Sequence, residues 1–493
     1  MKYIQWNIER FILLTGLGLF ILMAWQSEGY YHWDEHYQLL EFAQYKSGLA
    51  AKEGLAWEFQ DQIRPGLQPF IAFAFLEIFT SIGISDPFMI AFILRLFSAL
   101  FSFYVVVALG HYILKLTASK MAQRVFLTFS FFLWCSAFLQ VRFSSENWSG
   151  LAFILGFLFW SHCDSTSTKK NAMMLIVSGL CFSLAFQFRY QIAFAMVGFA
   201  LWMLFNFKTY YRQWGLMTIG LISGVLIGLL ADYWLYGNWQ LTSYYYFTKN
   251  ITQGKAATFG VEPWWYYFKV LFLRLGPGIN IISCGLAIYG MFIYRRHALL
   301  WALIVFVIGH SIVGHKEMRF LFPMFFPFLF FISVEVHSIW AKTPFRKWIC
   351  IVIIPVCIVN CGLLYVRLVT PAHIRMPYYK YMYTLASRTQ KITMYFLPEN
   401  NSSNNMYGPS RLRMTFYRPK NLIQIPLSDP TNFARDKNQE QSYFFTINPL
   451  DPEVASKMDG PVFKYTNWDL TQFNFGGWPR KTTHFWSIYS VKK

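Results

Sequence analysis

The residues of this 493-residue chain that could carry chemistry lie in short polar stretches between long apolar segments. The most distinctive stretch is His315–Phe320, which reads His-Lys-Glu-x-Arg-Phe between apolar residues 302–313 and 320–334. A charged side chain at the centre of a bilayer costs about 2.5–3.5 kcal/mol to insert. We therefore expect this hexapeptide at a membrane–water boundary or against a hydrated cavity, where its cations could bind a phosphate. An interfacial loop with snorkelling side chains is the alternative.

Two adjacent carboxylates lie in a second polar stretch, shortly after the first apolar segment. Asp34 and Glu35 follow His32 and precede Gln38. Adjacent side chains on a helix or strand point in different directions, so one carboxylate could face a reacting group while the other binds or orients. A carboxylate beside a substrate hydroxyl can act as a general base. Solvated loop acids are the alternative, and a divalent cation at this pair stays open.

Further polar and aromatic groups lie near the ends of apolar segments. They are Trp57, Glu58, Arg64, Arg142, Arg189, Trp264 and Tyr267. The planar guanidinium of arginine matches phosphate oxygens, and the aromatic rings suit a sugar face or a prenyl chain. Snorkelling arginines and interfacial aromatic anchors are the alternatives. Because these groups fall on one face of the topology predicted below, they favour a negatively charged, lipid-linked substrate.

The composition is that of a polytopic membrane protein. The chain is 55% hydrophobic and 20% aromatic, with only 14% charged residues. Apolar stretches of about 17–25 residues, long enough to span a hydrocarbon core, recur along it. The net charge of +19 is divided among short loops and a polar tail, so we expect no nucleic-acid partner. The seven cysteines lie in or beside apolar segments without zinc-ligand spacing.

About eleven transmembrane helices are predicted, or twelve if residues 67–84 also cross. The predicted spans are residues 8–26, 88–114, 124–141, 148–162, 172–188, 191–206, 214–235, 267–291, 298–313, 318–339 and 347–368. Basic loops favour the cytoplasmic side, and these loops share one side only if 67–84 is a re-entrant or in-plane helix. The outer side then receives the long first loop, the arginines and His315–Phe320.

Residues 369–493 differ in character from the rest of the chain. They contain Asn-Ser-Ser-Asn-Asn at 401–405, many prolines and alternating stretches such as 442–447. Alternation of this kind is typical of strands. We predict a transmembrane domain of residues 1–368 followed by a small, mixed α/β soluble domain of residues 369–493 on the outer side.

In these residues the chain resembles glycosyltransferase family 22, mannosyltransferases of the GT-C fold that use polyprenyl-phosphate-linked mannose. The family's His-Lys-Glu-x-Arg-Phe hexapeptide is similar to His315–Phe320. Its first-loop pattern, His-Pro-Asp-Glu, is similar to His32–Glu35 with Trp33 in place of the proline. Weaker similarities lie within roughly residues 25–325, at Gln38, Glu41, Trp57-Glu58, Arg64–Pro69, Arg189, Asp232–Gly237 and Pro263–Tyr267.

The resemblance implies an inverting transfer of a hexose, mannose in the family, from a polyprenyl-phosphate donor to a hydroxyl of a lipid-linked glycan or glycolipid. Asp34 would be the base and Glu35 would orient it or bind the donor, or the two roles are exchanged. The donor phosphate would contact His315, Lys316, Arg319, Arg142 and Arg189. Sugar and acceptor would contact His32, Gln38, Trp57, Glu58, Arg64, Trp264 and Tyr267. No metal or other cofactor is required if these cations neutralise the phosphate.

Two other functions stay open from the sequence. One is a GT-C enzyme or polymerase that uses another lipid-linked sugar. The other is a transporter, which predicts broken helices in paired halves and an internal repeat; neither feature is evident. Departures from the family pattern at Trp33, Ala56 and Gln191 favour a bacterial inner membrane with a periplasmic site. In a eukaryote the corresponding site would be luminal, in the endoplasmic reticulum.

Overall fold

The computed structural model is mostly helical and contains one small sheet. It describes residues 8–163, 169–342, 344, 346–373, 375–396, 414–427, 441–446, 452–464 and 487–491. The helices are α1 (Ile8–Gln26), α2 (Trp33–Glu35), α3 (Glu41–Lys46), α4 (Trp57–Gln60), α5 (Leu67–Ser81), α6 (Pro87–Thr117), α7 (Lys120–Phe132), α8 (Ser136–Gln140), α9 (Ser145–Ser161), α10 (Lys169–Phe188), α11 (Ala193–Phe205), α12 (Phe207–Tyr236), α13 (Thr242–Phe247), α14 (Tyr266–Arg274), α15 (Ile279–Ile293), α16 (Ala298–Ile312), α17 (Phe325–Ser333), α18 (Val336–Lys342), α19 (Arg346–Val369), α20 (Met376–Ala386) and α21 (Pro452–Ser456). Turns of 3-10 helix cover Lys52–Gly54, Tyr190–Ile192, Lys255–Phe259 and Met318–Met324, and π turns cover His36–Leu40 and Thr248–Thr252.

Long apolar helices support the predicted polytopic membrane class. Among the described residues, five helical segments are long and apolar enough to cross a membrane: Ile8–Gln26, Pro87–Thr117, Lys169–Phe188, Gln213–Tyr236 and Met318–Lys342. Shorter apolar helices accompany them at Leu67–Ser81, Tyr190–Phe205, Ile279–Ile293, Ala298–Ile312 and Ile353–Val369. The helical class is therefore confirmed, whereas eleven or twelve crossings stay a prediction.

Two predicted spans are interrupted by glycine and proline. Span 267–291 divides into α14 and α15 around Gly276-Pro277-Gly278, where both glycines have positive φ angles of 104° and 75°. Side chains rarely adopt such angles, and proline has no N–H to donate. Span 318–339 begins as a 3-10 turn containing Pro323 and continues as α17 and α18. Both predicted spans are therefore formed by broken helices, and whether each crosses the membrane stays a prediction.

Span 124–141 is also divided, into α7 and α8. Leu133 has an extended backbone (φ −64°, ψ 129°) and ends α7. The Asn360 side chain accepts from Trp134 N at 2.9 Å and donates to Phe132 O at 2.8 Å. This amide from α19, which lies far away in the sequence, satisfies backbone groups that a continuous helix would have paired.

The segment predicted to lie in the membrane plane forms the single helix α5. Its 15 residues measure about 22 Å at 1.5 Å per residue, less than the hydrocarbon thickness of about 30 Å. α5 packs against α3 and α12. Its length is compatible with an in-plane or re-entrant helix, and that topology stays a prediction.

The helices that carry the site pack in two groups. α9, α10 and α12 lie side by side, and α11 packs against α16. The 3-10 turn Met318–Met324 packs on α9 at Gly150, where a Cβ atom would lie 2.7 Å from Pro323 O. Only glycine allows this approach, which brings the first turn of α9 beside the start of the 3-10 turn.

The chain after α19 contains the predicted mixed α/β elements. Five strands, β1 (Ile392–Phe396), β2 (Leu422–Pro426), β3 (Gln441–Thr446), β4 (Met458–Lys464) and β5 (Ser487–Val491), form a sheet in the order β2-β1-β3-β5-β4. β1 pairs in parallel with β2 and β3, whereas β5 is antiparallel to β3 and β4. Residues of α20 and this sheet belong to the same buried apolar core as the membrane helices, and a domain boundary at residue 368 stays a prediction.

Candidate active site

A cavity of about 820 Å³ lies among the loop after α1, the turn between α10 and α11, the segment after α12 and the C-terminal end of α16. Its lining combines charged groups with an apolar wall. The charged and other polar residues are His32, Asp34, Gln38, Glu58, Arg64, Arg189, Gln191, Ser243, Asn250, His310, His315, Glu317 and Arg319. The aromatic residues are Trp33, Tyr37, Trp57, Phe186, Tyr190, Phe194, Tyr246, Phe247, Phe259 and Phe320. The remaining residues are Ala56, Ala193, Ile251, Ala256, Gly309, Ile312 and Val313.

Asp34 and Arg319 form the central contact of the cavity, although 285 residues separate them in the sequence. Arg319 Nη1 lies 2.7 Å from Asp34 Oδ2 and 3.1 Å from Glu146 Oε1. Its Nε donates to Glu317 Oε2 at 2.5 Å. The Arg319 guanidinium therefore joins the first outer loop, α9 and the hexapeptide, and its position is fixed by three carboxylates.

The electrostatic surroundings keep Asp34 ionised. Burial alone would raise the pKa of Asp34, but the Arg319 guanidinium, a hydrogen bond from His32 and the nearby Arg64 together lower this pKa well below its ordinary value. Glu317 behaves in the same way: burial raises its pKa, and the stronger effect of Arg319 lowers it to about 2. Both carboxylates are therefore charged near neutral pH.

Arg64 is the second guanidinium at this centre, and its loop is held by α12. Its Nη2 lies 3.5 Å from both Asp34 Oδ2 and Glu58 Oε1. The Tyr236 hydroxyl donates to Arg64 O at 2.7 Å, and Asp232 Oδ1 accepts from Gly66 N at 2.7 Å. The Asp232–Gly237 element therefore positions Arg64.

Glu58 completes the wall beside Arg64. Gln38 Nε2 donates to Glu58 Oε1 at 2.9 Å. Burial raises the pKa of Glu58, and the charge of Asp34 adds to this effect against the opposing Arg64. Glu58 therefore takes up a proton more readily than Asp34 or Glu317, whose pKa values are lowered.

Arg189 brings a third guanidinium from the turn after α10. Its Nη1 lies 2.9 Å from Glu146 Oε1 and 3.0 Å from Ser145 Oγ. The linked ion pairs thus contain four carboxylates (Asp34, Glu58, Glu146, Glu317) and three guanidiniums (Arg64, Arg189, Arg319), with His32 and His315 at the edge. Carboxylates outnumber guanidiniums in this network, so an anion bound here would compete with them for the same donors.

Five predicted site residues lie outside the cavity lining. Arg142 and Glu35 form a buried pair at 2.9 Å, and Arg142 also donates to the carbonyls of Ser27 and Gly29. The Lys316 ammonium donates to the carbonyl oxygens of Glu262 (2.8 Å) and Val313 (2.6 Å). The two remaining residues are Trp264, which is 68% exposed, and Tyr267, which is 2% exposed.

These five residues lie away from the cavity lining, and their assigned roles toward the substrate stay a prediction. The sequence shows residue types but not which residues contact each other. In the structure, Arg142 and Lys316 donate their hydrogen bonds to oxygen atoms of the protein, and Glu35 forms an ion pair with Arg142. The Glu35–Arg142 pair braces the loop that carries Asp34. The other predicted residues, His32, Asp34, Gln38, Trp57, Glu58, Arg64, Arg189, His315 and Arg319, do line the cavity.

Two residues of the site, His310 and Glu146, were not among the predicted site residues. His310 lies on α16, lines the cavity and is 3% exposed, but in sequence it is one histidine in an apolar helix. In the sequence, Glu146 lies near Arg142. In the structure, its ion-pair partners are Arg189 and Arg319. Ser144 caps α9, and Glu146 follows two positions later in the first turn of that helix. This pattern could have indicated the start of a helix, but it could not have indicated the two arginine partners.

The candidate metal pair does not gather further ligands. Across the described residues, no group of three or more His, Cys, Asp or Glu is placed to hold a metal ion. Asp34 contacts Arg319, whereas Glu35 contacts Arg142. The two acids therefore serve different arginines, and independence from metal stays a prediction.

Comparison with known proteins places most of the chain in one family. Residues 11–402 match the model of the Alg9-like mannosyltransferase family. GPI mannosyltransferase 3 of Yarrowia lipolytica is 23% identical over 359 residues, which cover 71% of this chain and 66% of the relative. Mannosyltransferase APTG1 of Arabidopsis thaliana is 27% identical over 330 residues, 64% of this chain and 56% of the relative. The chain thus spans 56–66% of the length of these two relatives.

A solved structure shares the fold. ArnT from Cupriavidus metallidurans bound to undecaprenyl phosphate superimposes with a TM-score of 0.54 at 10% identity, over 98% of this chain and 97% of that one. The likeness covers the fold alone. It agrees with the GT-C architecture that the sequence resemblance implied.

Proposed function

The chain belongs to the Alg9-like mannosyltransferase family, and on that premise we propose that it transfers mannose from a polyprenyl-phosphate donor to a hydroxyl of a lipid-linked glycan or glycolipid. The observation that carries the proposal is the pairing of an ionised carboxylate, Asp34, with the Arg319 guanidinium on one cavity wall. A base for the acceptor and a cation for the leaving phosphate lie side by side, which suits glycosyl transfer between a hydroxyl and a phosphodiester.

The cavity lining contains groups that suit both parts of such a donor. Arg64, Arg319 and His315 supply cationic or hydrogen-bonding groups for the phosphate, and Arg189 adds positive charge. Other lining residues are apolar. Among them, Phe247 and Ile312 are 58% and 79% exposed. A prenyl chain could leave the cavity past these residues toward the lipid.

Trp57 supplies an aromatic surface for a sugar. It lies in the cavity wall, stacks on Phe259 with ring centroids 6.0 Å apart, and has the Lys255 ammonium 5.2 Å from its ring. His32, Gln38 and Glu58 supply polar groups nearby. This division of the wall into aromatic and polar groups supports their proposed contact with sugar and acceptor.

The reaction would proceed as an inverting displacement. The acceptor oxygen attacks the anomeric carbon, its proton passes to an Asp34 oxygen, and the bond from that carbon to the phosphate oxygen breaks. As Asp34 loses its negative charge, the departing polyprenyl phosphate gains one. Arg319 can then exchange Asp34 for the phosphate, so the charge beside it stays constant.

We further propose that the cavity opens on the outer side of the membrane, periplasmic in a bacterium and luminal in the endoplasmic reticulum. The predicted basic loops lie on the other side, which supports this orientation. Residues 369–493 would form an outer domain over the first loop. Glu41 supports this placement because it accepts from Thr415 N at 2.8 Å and Phe416 N at 3.0 Å.

A panel of donors tests the proposal. Purified protein in liposomes is given polyprenyl phosphates that carry mannose, glucose or a pentose, together with glycolipid acceptors. Mannosylated lipid is expected. Transfer of a different sugar would favour the alternative GT-C enzyme, and protein that transfers none would contradict the proposal. The family match favours a transferase over a transporter. Asp61→Asn is the matched control for Asp34→Asn, because Asp61 pairs with Lys249 outside the cavity lining.

A further inference from the structure

Among the described residues, four that line the cavity have a buried side-chain atom without a hydrogen-bond partner: Tyr37 Oη, Arg64 Nε, Arg189 Nε and His310 Nε2. Of these four residues, Arg189 and His310 are each 3% exposed. A buried polar group without a partner costs free energy comparable to a lost hydrogen bond, so each atom indicates where a ligand group would bind.

The protein fixes which ring nitrogen of His310 is left as an acceptor. His310 Nδ1 lies 2.9 Å from the carbonyl oxygen of Phe306. A carbonyl oxygen can only accept, so Nδ1 carries the hydrogen and donates it. In the neutral ring Nε2 then has a lone pair and no hydrogen. This nitrogen requires a ligand group that donates a hydrogen bond.

His310 and Arg189 lie against the same aromatic ring. The His310 ring centroid is 6.2 Å from that of Phe320, and the Arg189 guanidinium carbon is 5.1 Å from it. Arg189 Nε offers a hydrogen and His310 Nε2 accepts one. A hydroxyl both accepts and donates, whereas an ionised phosphodiester only accepts and cannot satisfy His310 Nε2. The two atoms together therefore suit a hydroxyl, while the charge of Arg189 still favours the phosphate elsewhere in the cavity.

The groups around His310 indicate which substrate supplies the hydroxyl. Ile312 and Val313 follow on the same chain segment and line the same cavity. The Phe194 ring packs 5.3 Å from the His310 ring. Arg319 and His315, which were assigned above to the donor phosphate, also lie 5.3 Å and 5.8 Å from the Phe320 ring. The sugar bonded to that phosphate is therefore the nearest source of a hydroxyl.

We propose that His310, with Arg189, binds one hydroxyl of the transferred hexose and discriminates against donors that lack it. The inference rests on the proposed function, because it assumes a lipid-linked sugar donor. His310 would contact substrate without taking part in bond breaking. Its removal would therefore change donor preference more than the chemistry of any one donor.

The test measures kcat/KM for the mannosyl donor and for its monodeoxy analogues at each position. Wild-type protein is expected to use one deoxy donor at least about 10-fold less efficiently than the mannosyl donor, since a buried acceptor is then left unpaired. His310→Phe removes the acceptor and should abolish most of that discrimination. His310→Gln keeps an acceptor oxygen and should retain part of it.

The matched control is His111, which makes the same contact with its helix. Its Nδ1 lies 2.8 Å from Val107 O, but the side chain is exposed and lies outside the cavity lining. His111→Phe should leave donor preference unchanged. Thermal unfolding in detergent checks that each variant is folded, and His310→Gln decides the question if His310→Phe does not fold.

Each outcome bears on a different statement. Unchanged discrimination in both His310 variants, with normal use of the mannosyl donor by wild type, would overturn the hydroxyl subsite alone. Loss of discrimination among deoxy acceptors, with none among donors, would overturn the assignment to the transferred hexose. A wild-type protein that uses no polyprenyl-phosphate sugar would overturn the proposed function and the subsite together.

Discussion

Replacing Arg319 should move the acidic limb of the pH–rate profile to higher pH. In the wild type, Arg319 Nη1 lies 2.7 Å from Asp34 Oδ2 and holds the pKa of Asp34 well below its ordinary value of 3.8, against the raising effect of burial. A base works when it is ionised, so wild-type activity should be lost only at pH values well below 3.8. Arg319→Gln leaves burial in place and removes the main effect that lowers this pKa.

The size of the shift follows from the contact distance. An opposite charge within about 4–6 Å lowers a carboxyl pKa by about 1–3 units, so the acidic limb should rise by about one to three pH units. The maximal rate should also fall by about 10²–10³-fold, as for the loss of one group that stabilises developing charge. Arg319→Lys keeps a positive charge and should keep the acidic limb closer to that of the wild type.

Single-turnover rates across pH, with saturating donor and acceptor, measure both effects. Arg124→Gln is the control, because Arg124 pairs with Glu9 at 2.8 Å outside the cavity lining. Donor KM should rise more than acceptor KM in Arg319→Gln, and equal increases would contradict the phosphate assignment. An acidic limb that does not move in folded, active Arg319→Gln would refute the coupling between Arg319 and the base.

Three further predictions concern the frame around the site. Glu41→Ala leaves two buried amide donors of the 415–416 segment unpaired and should cost at least about 2 kcal/mol; thermal unfolding measures this, Glu77→Ala is the exposed control, and an unchanged midpoint would contradict it. Gly66→Ala places a Cβ atom 2.3 Å from Ala231 O and should destabilise the fold by about 1–3 kcal/mol, with a lowered unfolding midpoint and weakened donor binding. Single cysteines in the loop 115–124 should react only with reagents on the cytoplasmic side, and labelling only from outside would show that α5 crosses the membrane.

The sequence predicted the class of fold and most of the charged residues that line the cavity, because both depend on residue type and order. The lengths of the apolar stretches identified the helices. Charged residues, which are costly to bury in a membrane, identified the loop that carries Asp34 and the hexapeptide. Breaks inside helices were harder to predict. Gly276-Pro277-Gly278 is visible in the sequence, whereas the break at Leu133 depends on Asn360 from a distant helix.

The sequence could not show which side chains of the site form ion pairs or hydrogen bonds with one another. Arg142 and Arg319 are the same residue type beside similar apolar segments, yet one is bound to Glu35 and two backbone carbonyls and the other faces the cavity. Lys316 and Arg319 are three positions apart in one hexapeptide, and only Arg319 lines the cavity. Which cation faces the cavity is decided by tertiary contacts with residues that are distant in the sequence, such as Glu35 for Arg142 and Asp34 for Arg319.

The role of Asp34 is the central claim, and single-turnover transfer by Asp34→Asn tests it most directly. Asparagine keeps the size of the side chain and cannot accept the acceptor's proton as a carboxylate does. Donor should still bind to the folded variant in the membrane, transfer of mannose should fall to background, and Asp61→Asn should transfer at the wild-type rate. Near-normal turnover by folded Asp34→Asn protein would contradict the account.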